Sequence, residues 1–419
     1  MDKKEERNRV EELVEKLLKG EIKLYEVERY VDQNAAAEVR RVFLERKFDV
    51  KLEHVRDSVI DFNRVVGRNI ENPIGSLKLP IGIAGPLKIN GDYAKGEFYI
   101  PLATSEGALV ASVNRGCSAI TRSGGCNVKI LANKMTRAPV FKLKSINQIP
   151  AFLEWLEAHR EKIREIGESE SQYIKFLSYQ PFVAGRYVYI RFSFDTCDAM
   201  GMNMVTIACD KISRFIEREF GDVKFVSVSS NLCTDKKPAA LNMILGRGKS
   251  VTAECWLEAH VVREKLKTDI DTFVEVVKAK NLVGSALAGS YGFNAHFANI
   301  IAAIYLATGQ DEAHVVEGSL GFTLAEREND KLYVSVTLPC VQVASVGGGT
   351  SLPVQQEMLS LLGCAGGGKT WGSNANKFAE IVAAAVLAGE ISLIAAQAAH
   401  HLARAHEKFG RKKNVEIND

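Results

Sequence analysis

The sequence predicts an α+β protein: a large helix-rich domain, a smaller α/β unit inserted into it, and a helical N-terminal region. Three observations carry this. Residues 1–66 are charged with a helical rhythm, and Val10, Leu13, Val14 and Leu17 fall on one face. Between Pro139 and Ser230 two helical patterns alternate with period-2 strands. From about 252 to 409 the chain reads as long helices, interrupted by a strand pair around LYVSVTLPCVQVAS.

In the middle region FKLKS is a strand and INQIPAFLEWLEAHREKIREI is one amphipathic helix. YIKFLSYQ and YVYIRFSF are two strands turning at Ala184-Gly185. AMGMNMVTIACDKISRFIEREF is a second helix, and VKFVSVSS closes the unit. The order β-α-β-β-α-β is that of a split-βαβ, ferredoxin-like unit. The domains are therefore placed at 1–66, at 67–138 joined with 229–405, at 139–228, and in a tail at 406–419. Upstream, ENPIGSLKLPIGIAGPL reads as loops and short strands. The stretch from Gly107 to Ala119 reads as a small-residue helix entering a core.

Composition excludes several classes. The 419 residues carry 54 Lys+Arg against 51 Asp+Glu, and a net charge of +3 argues against nucleic acid or an anionic membrane as partner. Eight cysteines (Cys117, Cys126, Cys197, Cys209, Cys233, Cys255, Cys340, Cys364) form no C-x-x-C pair, which speaks against zinc or a disulfide framework and suits a reducing cytosol. The N-terminus lacks an apolar signal segment. The apolar run Ile381–Ala399 contains Glu390 and Gln397 and reads as a buried helix rather than a membrane span. A soluble, cytoplasmic protein is expected.

GCAGGGKT, Gly363–Thr370, fits the phosphate-loop pattern letter for letter. A working phosphate loop follows a strand and opens directly into a helix. Here PVQQEMLSLL before it has helical spacing, and WGSNAN after it reads as loop, with the next helix near Asn376. A connector between helices is the better reading, and a nucleotidase is the rival.

Four other segments carry chemistry-bearing residues: Glu106 in ATSEG, Asp235-Lys236-Lys237 in SSNLCTDKKPAA, Asp311 after an apolar helix, and His406 near the end of the last helix. His400 and His401 stand six and five residues before His406, not the i, i+4 spacing of a helical metal pair. No metal is expected.

From Glu71 to His406 the motifs ENPIG, TSEG, NRGC, DAMGMN, CTDKKPAA, GRGKS, NAHFAN, GQD and VGGGT appear in one order. In this the chain resembles 3-hydroxy-3-methylglutaryl-coenzyme A (HMG-CoA) reductases, and GIAGPL and DAMGMN resemble the biosynthetic class I type. The resemblance implies reduction of HMG-CoA to mevalonate with two NADPH, through a hemithioacetal and an aldehyde. It makes Lys236 the cation beside the carbonyl oxygen that turns negative. Glu106 becomes the acid for the aldehyde step, with Asp311 bridging Lys236 and Glu106. His406 becomes the proton donor to the departing CoA thiolate.

Binding roles follow the same resemblance. Arg137, Ser229, Lys237, Lys280 and Asn299 would meet the HMG carboxylate and hydroxyl. Asn114, Arg115 and Lys267 would approach CoA. Ser171, Asp198, Met200, Gly201, Met202 and Asn203, with Val346, Gly348 and Gly349, would hold NADPH, Asp198 serving as the N-cap of the small unit's second helix. Many relatives have Ser-Arg-Phe where this chain has Ser171-Gln172-Tyr173, which removes a guanidinium from 2′-phosphate recognition and leaves NADH open. Lys412 stands where animal enzymes carry a phosphorylatable serine. A homodimer with the active site between subunits, and possible further pairing to a tetramer, are implied. A catalytically inactive CoA-binding homologue is the second rival.

Overall fold

The computed structural model describes residues 3–48, 56 and 59–399. In the N-terminal region α1 (Lys3–Leu18) packs on α2 (Gln33–Phe48). The i, i+3, i+4, i+7 residues Val10, Leu13, Val14 and Leu17 are buried against Ala36, Val39 and Phe43, as the periodicity predicts. Arg40, itself buried, donates to Glu28 at 2.8 Å and to the Leu24 carbonyl at 2.9 Å, so the intervening turn is tied to α2.

The main sheet is built from β1 (Ile81–Asn90), β2 (Lys95–Ala103) and, after α3 (Leu109–Arg122), β3 (Cys126–Arg137). The small unit follows: β4 (Val140–Leu143), α4 (Ile149–Ala158), α5 (Arg160–Glu168), β5 (Lys175–Ala184), β6 (Tyr187–Asp195), α6 (Met202–Phe220) and β7 (Val223–Ser227). The chain then returns through β8 (Gly248–Glu258), α7 (Ile270–Val276), β9 (Gly292–Phe293), α8 (Phe297–Thr308), β10 (Gly321–Glu328) and β11 (Lys331–Val341). It ends in α9 (Pro353–Leu361) and α10 (Ser373–Ala398).

Within the small unit the strand order is β7-β4-β6-β5, all antiparallel, the arrangement of the predicted split-βαβ unit. Its strands and helices enclose their own apolar cluster, with Phe141, Phe152, Phe192, Phe194, Ile212 and Ile216 fully buried. The far end of β3 pairs with β6 through Met135–Arg137, which makes this sheet continuous with the main one. The single helix expected over INQIPAFLEWLEAHREKIREI is two helices. At His159 the backbone leaves helical geometry (φ −103°, ψ 14°), while its ring stacks on Trp155 and Nδ1 lies 2.8 Å from the Trp155 carbonyl.

The C-terminal half holds more strand than expected. Segments read as helix are β8 and β10, and β8 sits in mid-sheet, antiparallel to β3 on one side and β11 on the other. Its inward residues Val251, Ala253, Cys255 and Leu257 are buried in strict alternation, a period-2 pattern that the helix-forming Ala, Glu and Leu of the segment disguise.

Across the sheet runs α10. It has the length and hydropathy to cross a membrane, yet 94% of its most apolar window is buried inside this fold. Its two carboxylates are occupied: Glu380 accepts from the amides of Asp92, Tyr93 and Ala94, and Glu390 from those of Ala295 and His296 and from Thr323 Oγ1. A Cβ on Gly116 of α3 would lie 1.9 Å from the Ala388 carbonyl oxygen of α10, so the two helices approach this closely only because the residue is glycine. The stretch Gly363–Thr370 joins α9 to α10, which begins at Ser373, three residues earlier than expected. The helix α9, not a strand, stands directly before it and Lys369 is exposed, as the connector reading requires.

Candidate active site

The loop after β7 carries the densest chemistry. Asn231, Thr234 and Lys236 all have left-handed backbones (φ 65°, 61° and 56°), which non-glycine residues adopt only under constraint. The constraint is visible. The Lys236 amide donates to the buried Glu317 carboxylate, Thr234 Oγ1 bonds Asn242 Oδ1, and Asn242 Nδ2 donates to the Lys237 carbonyl at 3.0 Å. Held so, Lys236 points its Nζ at Asp311 Oδ2, 2.7 Å away. Asp311 begins the turn after α8, where its carboxylate accepts from the Ala313 amide. Burial pushes the Asp311 carboxyl up, but the Lys236 hydrogen bond and the His314 ring outweigh it and hold it below the usual carboxylate range.

Beneath this pair lies a buried polar network of which the sequence singled out Asp235 and Arg137 but not the partners that hold them. Arg247, fully buried, bonds Glu317 at 2.8 Å and Asp235 at 3.0 Å. Gln342 Nε2 donates to Glu317 at 2.7 Å, and His314 Nε2 lies 3.2 Å from Asp235 Oδ1. Asp235 also faces Arg137 at 3.7 Å. Burial works against the Asp235 carboxylate; the His314 hydrogen bond and the charges of Arg247, His314 and Arg137 overcome it and hold the group well below its ordinary value. Burial dominates at Glu317, which is raised. Asp235, His314 and Glu317 are close enough together to suggest a metal site. The Arg247 guanidinium already bonds both carboxylates, so a cation is present and the donor set fits an ion-pair network better than a metal.

Asp235, Lys236 and Asp311 open onto a cleft of about 770 Å³ that is also lined by Arg137, Met200–Met204, Gln310 and Val346–Thr350. Met200, Gly201, Met202 and Asn203 form the start of α6, and Val346, Gly348 and Gly349 belong to the opposite loop. Gly201 is the N-cap of α6 (φ 85°) with no side-chain cap, and among the described residues no side chain pairs the first amides of this 19-residue helix, which line the cleft and suit a phosphate group. The GQD and VGGGT loops are laced together. Gln310 exchanges two hydrogen bonds with Ala344, and a Cβ on Gly309 would lie 2.3 Å from the Gly349 carbonyl oxygen. The carboxylate that meets Lys236 is thereby fixed relative to the glycine loop.

Two residues assigned to the cofactor are placed otherwise. Asp198 does not cap α6; it is buried, and its carboxylate accepts from the amides of Gly368 (2.8 Å) and Ala375 (2.9 Å), pinning the α9–α10 connector. Backbone geometry decides this, because the cap falls three residues later at Gly201. Ser171 lies outside the cleft, its Oγ accepting from the Tyr173 amide.

A second group of expected residues assembles elsewhere. Glu106 receives a long hydrogen bond (3.5 Å) from Asn299 Nδ2, and its own amide donates to Thr104 Oγ1. Among the described residues no hydrogen bond or ion pair joins Glu106 to Lys236 or Asp311, so the bridge expected through Asp311 is not made within one chain. Lys280 is half-buried beside Asn281 (3.4 Å), and burial lowers it against the opposing charge of Glu390. Asn114 accepts from the Gly85 amide. Arg115 donates to the Ser392 hydroxyl and, at 2.6 Å, to its carbonyl, so two of its nitrogens are committed to α10. Lys267 is exposed, at a left-handed turn. Near the first group Ser229 Oγ lies 3.5 Å from Cys233 Sγ, and the exposed Lys237 reaches the Asp235 carbonyl at 3.3 Å. His406 lies outside the described residues.

The family model described as hydroxymethylglutaryl-coenzyme A reductase matches residues 36–411. The chain belongs to the hydroxymethylglutaryl-coenzyme A reductase family. It is 56% identical over 407 residues to a 3-hydroxy-3-methylglutaryl-coenzyme A reductase of Pyrococcus abyssi, covering 96% of this chain and all of that one. A reductase of the same name from Methanothermobacter thermautotrophicus is 54% identical over 95% of this chain and 99% of its own length. Among solved structures, the class II 3-hydroxy-3-methylglutaryl-CoA reductase of Streptococcus pneumoniae bound to NADPH in open conformations superposes with a TM-score of 0.65. That match covers 90% of this chain and 100% of that one at 18% identity, a likeness of fold.

Family membership leaves His314, Glu317 and Gln342 outside the motifs, and Arg247 inside GRGKS without an assigned role. Burial marks all four, and burial is not readable from a stretch such as GQDEAHVVEG.

Proposed function

We propose that this chain is an HMG-CoA reductase that converts HMG-CoA to mevalonate and free CoA, consuming two NADPH and two protons per turnover. The observation that carries the reading is the Lys236–Asp311 pair on the rim of the cleft whose other walls are the open α6 N-terminus and the VGGGT loop. NADPH, when bound there, supplies the reducing equivalents.

The side chains do the rest. As each carbonyl oxygen gains charge, the Lys236 ammonium offsets it at close range, and Asp311 keeps that ammonium charged and aimed. Arg137, Lys237 and Ser229 border the same loop and suit the HMG carboxylate. Glu106 donates the proton in the aldehyde step, and His406 protonates the CoA thiolate. Asn299 and Lys280 hold the far end of the substrate; Asn114 and Lys267, with the remaining nitrogen of Arg115, meet CoA. Met200, Gly201, Met202, Asn203, Val346, Gly348 and Gly349 bind the dinucleotide.

The separation of the two groups supports a homodimer. Lys236 and Asp311 line the cleft, Glu106 and Asn299 pair with each other outside it, and a second copy that brings one chain's first group to the other's second group completes the site. The unit 139–228 then acts as the dinucleotide domain, and 67–138 with 229–405 as the HMG-CoA domain. The biosynthetic class I type rests on the motifs GIAGPL and DAMGMN, and the scattered cysteines suit a cytoplasmic setting. The test is the fall in NADPH absorbance with HMG-CoA present, repeated with NADH. Oxidation dependent on HMG-CoA supports the reading, and its absence with both dinucleotides rejects it.

A further inference from the structure

We propose that His314 is a positioning residue for the reduction: its ring joins Asp311 to Asp235 and, through its proton, sets the charge beneath Lys236. The inference rests on the reductase reading above. His314 is fully buried, with Nε2 3.2 Å from Asp235 Oδ1, Nδ1 3.5 Å from Asp311 Oδ2, and Glu317 at 3.9 Å from Nε2.

Both ring nitrogens therefore face carboxylates. A neutral imidazole has one donor and one lone pair, whereas an imidazolium has two donors. Only the protonated ring can satisfy both neighbours; once neutral, it turns a lone pair towards one of them. The 3.5 Å separation on the Asp311 side is too long for a good hydrogen bond, and among the described residues the buried Nδ1 has no hydrogen-bond partner. That side is the one free to tighten when Asp311 shifts towards or away from Lys236.

The other groups packed around the ring are fixed in role. Arg247 neutralises Asp235 and Glu317 from below, Lys236 takes the second face of Asp311, and the buried Tyr305 of α8 stands near Glu317 and Asp311. Three cations (Arg137, Lys236, Arg247) face three carboxylates (Asp235, Asp311, Glu317). A second proton on the ring adds a positive charge to that balance. With it, Asp311 is shared between His314 and Lys236, and the ammonium is freer to face substrate oxygen. Without it, Asp311 is left to Lys236 alone.

The test compares His314→Gln with the natural protein. Glutamine keeps a donor towards Asp235 and similar volume but cannot take up a proton. The expected result is a kcat about 10–100-fold lower, as for a displaced catalytic group, a KM for HMG-CoA changed far less, and loss of one limb of the pH profile of kcat. A profile that keeps the same limb in His314→Gln overturns the proposal. Nitrogen-15 spectra of histidine-labelled natural protein, with His314 assigned by its loss in the variant, give a readout independent of turnover. Two protonated ring nitrogens on the acid side of that limb support it; a single protonated nitrogen from about pH 5 to about pH 9 overturns it. If the natural protein oxidises no NADPH with HMG-CoA, the reductase reading fails, and the spectra still decide the ring's state.

Discussion

Lys236 Nζ and Asp311 Oδ2 stand 2.7 Å apart, with side chains 40% and 32% exposed. A pair so open to water contributes only about 0–1 kcal/mol to stability, so its role lies in aiming charge. Asp311→Asn is therefore expected to leave the thermal midpoint close to that of the natural protein while kcat falls about 100–1000-fold, the scale of losing one oxyanion-stabilising group. Calorimetry beside steady-state kinetics checks this, and a large fall in midpoint with kcat preserved contradicts it.

Gly201 sits at φ 85° with a hypothetical Cβ 2.2 Å from Thr196 Cγ2. Alanine there costs about 1–2 kcal/mol for the left-handed backbone alone, and the clash must also move the α6 N-terminus. Gly201→Ala is expected to raise the KM for NADPH at least about 10-fold with little change in that for HMG-CoA. Equal effects on both would place the dinucleotide elsewhere.

Lys249, in mid-sheet on β8, is buried with its Nζ on Asn133 Oδ1 at 3.2 Å. Burial draws it down to about 8, against the opposing charges of Asp195, Asp198 and Cys197. In the unfolded chain a lysine titrates near 10.4, so between those values the unfolded state binds more protons and stability rises with pH. The full rise is roughly 3 kcal/mol. Urea midpoints at about pH 8 and about pH 10 should separate for the natural protein and converge for Lys249→Met. An unchanged difference in the variant assigns the slope to another group.

The small unit was legible because its signals are local. Tyr187–Asp195 alternates, Gly185 turns, and the helix ending in ISRFIEREF has a clear apolar face, so β-α-β-β-α-β emerges from periodicity alone. The break at His159 was not legible, since it arises from one ring folding back on Trp155. β8 was misread because Ala, Glu and Leu favour helix, while pairing with β3 and β11 on both sides fixed it as strand. Lys236 and Asp311 were found by motif resemblance. Their support, Arg247 with Glu317 seventy positions on, is a contact between segments that share no local pattern. Likewise nothing in ATSEG tells which chain's Lys236 its glutamate serves.

That last point gives the most direct test of the central claim, that one chain supplies the cation and the other the acid. Glu106→Gln and Lys236→Ala are each expected to be inactive alone. Mixed and reassembled in equal amounts, half the dimers are heterodimers, each with one fully natural site, so about a quarter of the natural activity should return. If HMG-CoA-dependent NADPH oxidation stays at the sum of the two parents after subunit exchange has been verified, each chain uses its own Glu106 with its own Lys236, and the account is contradicted.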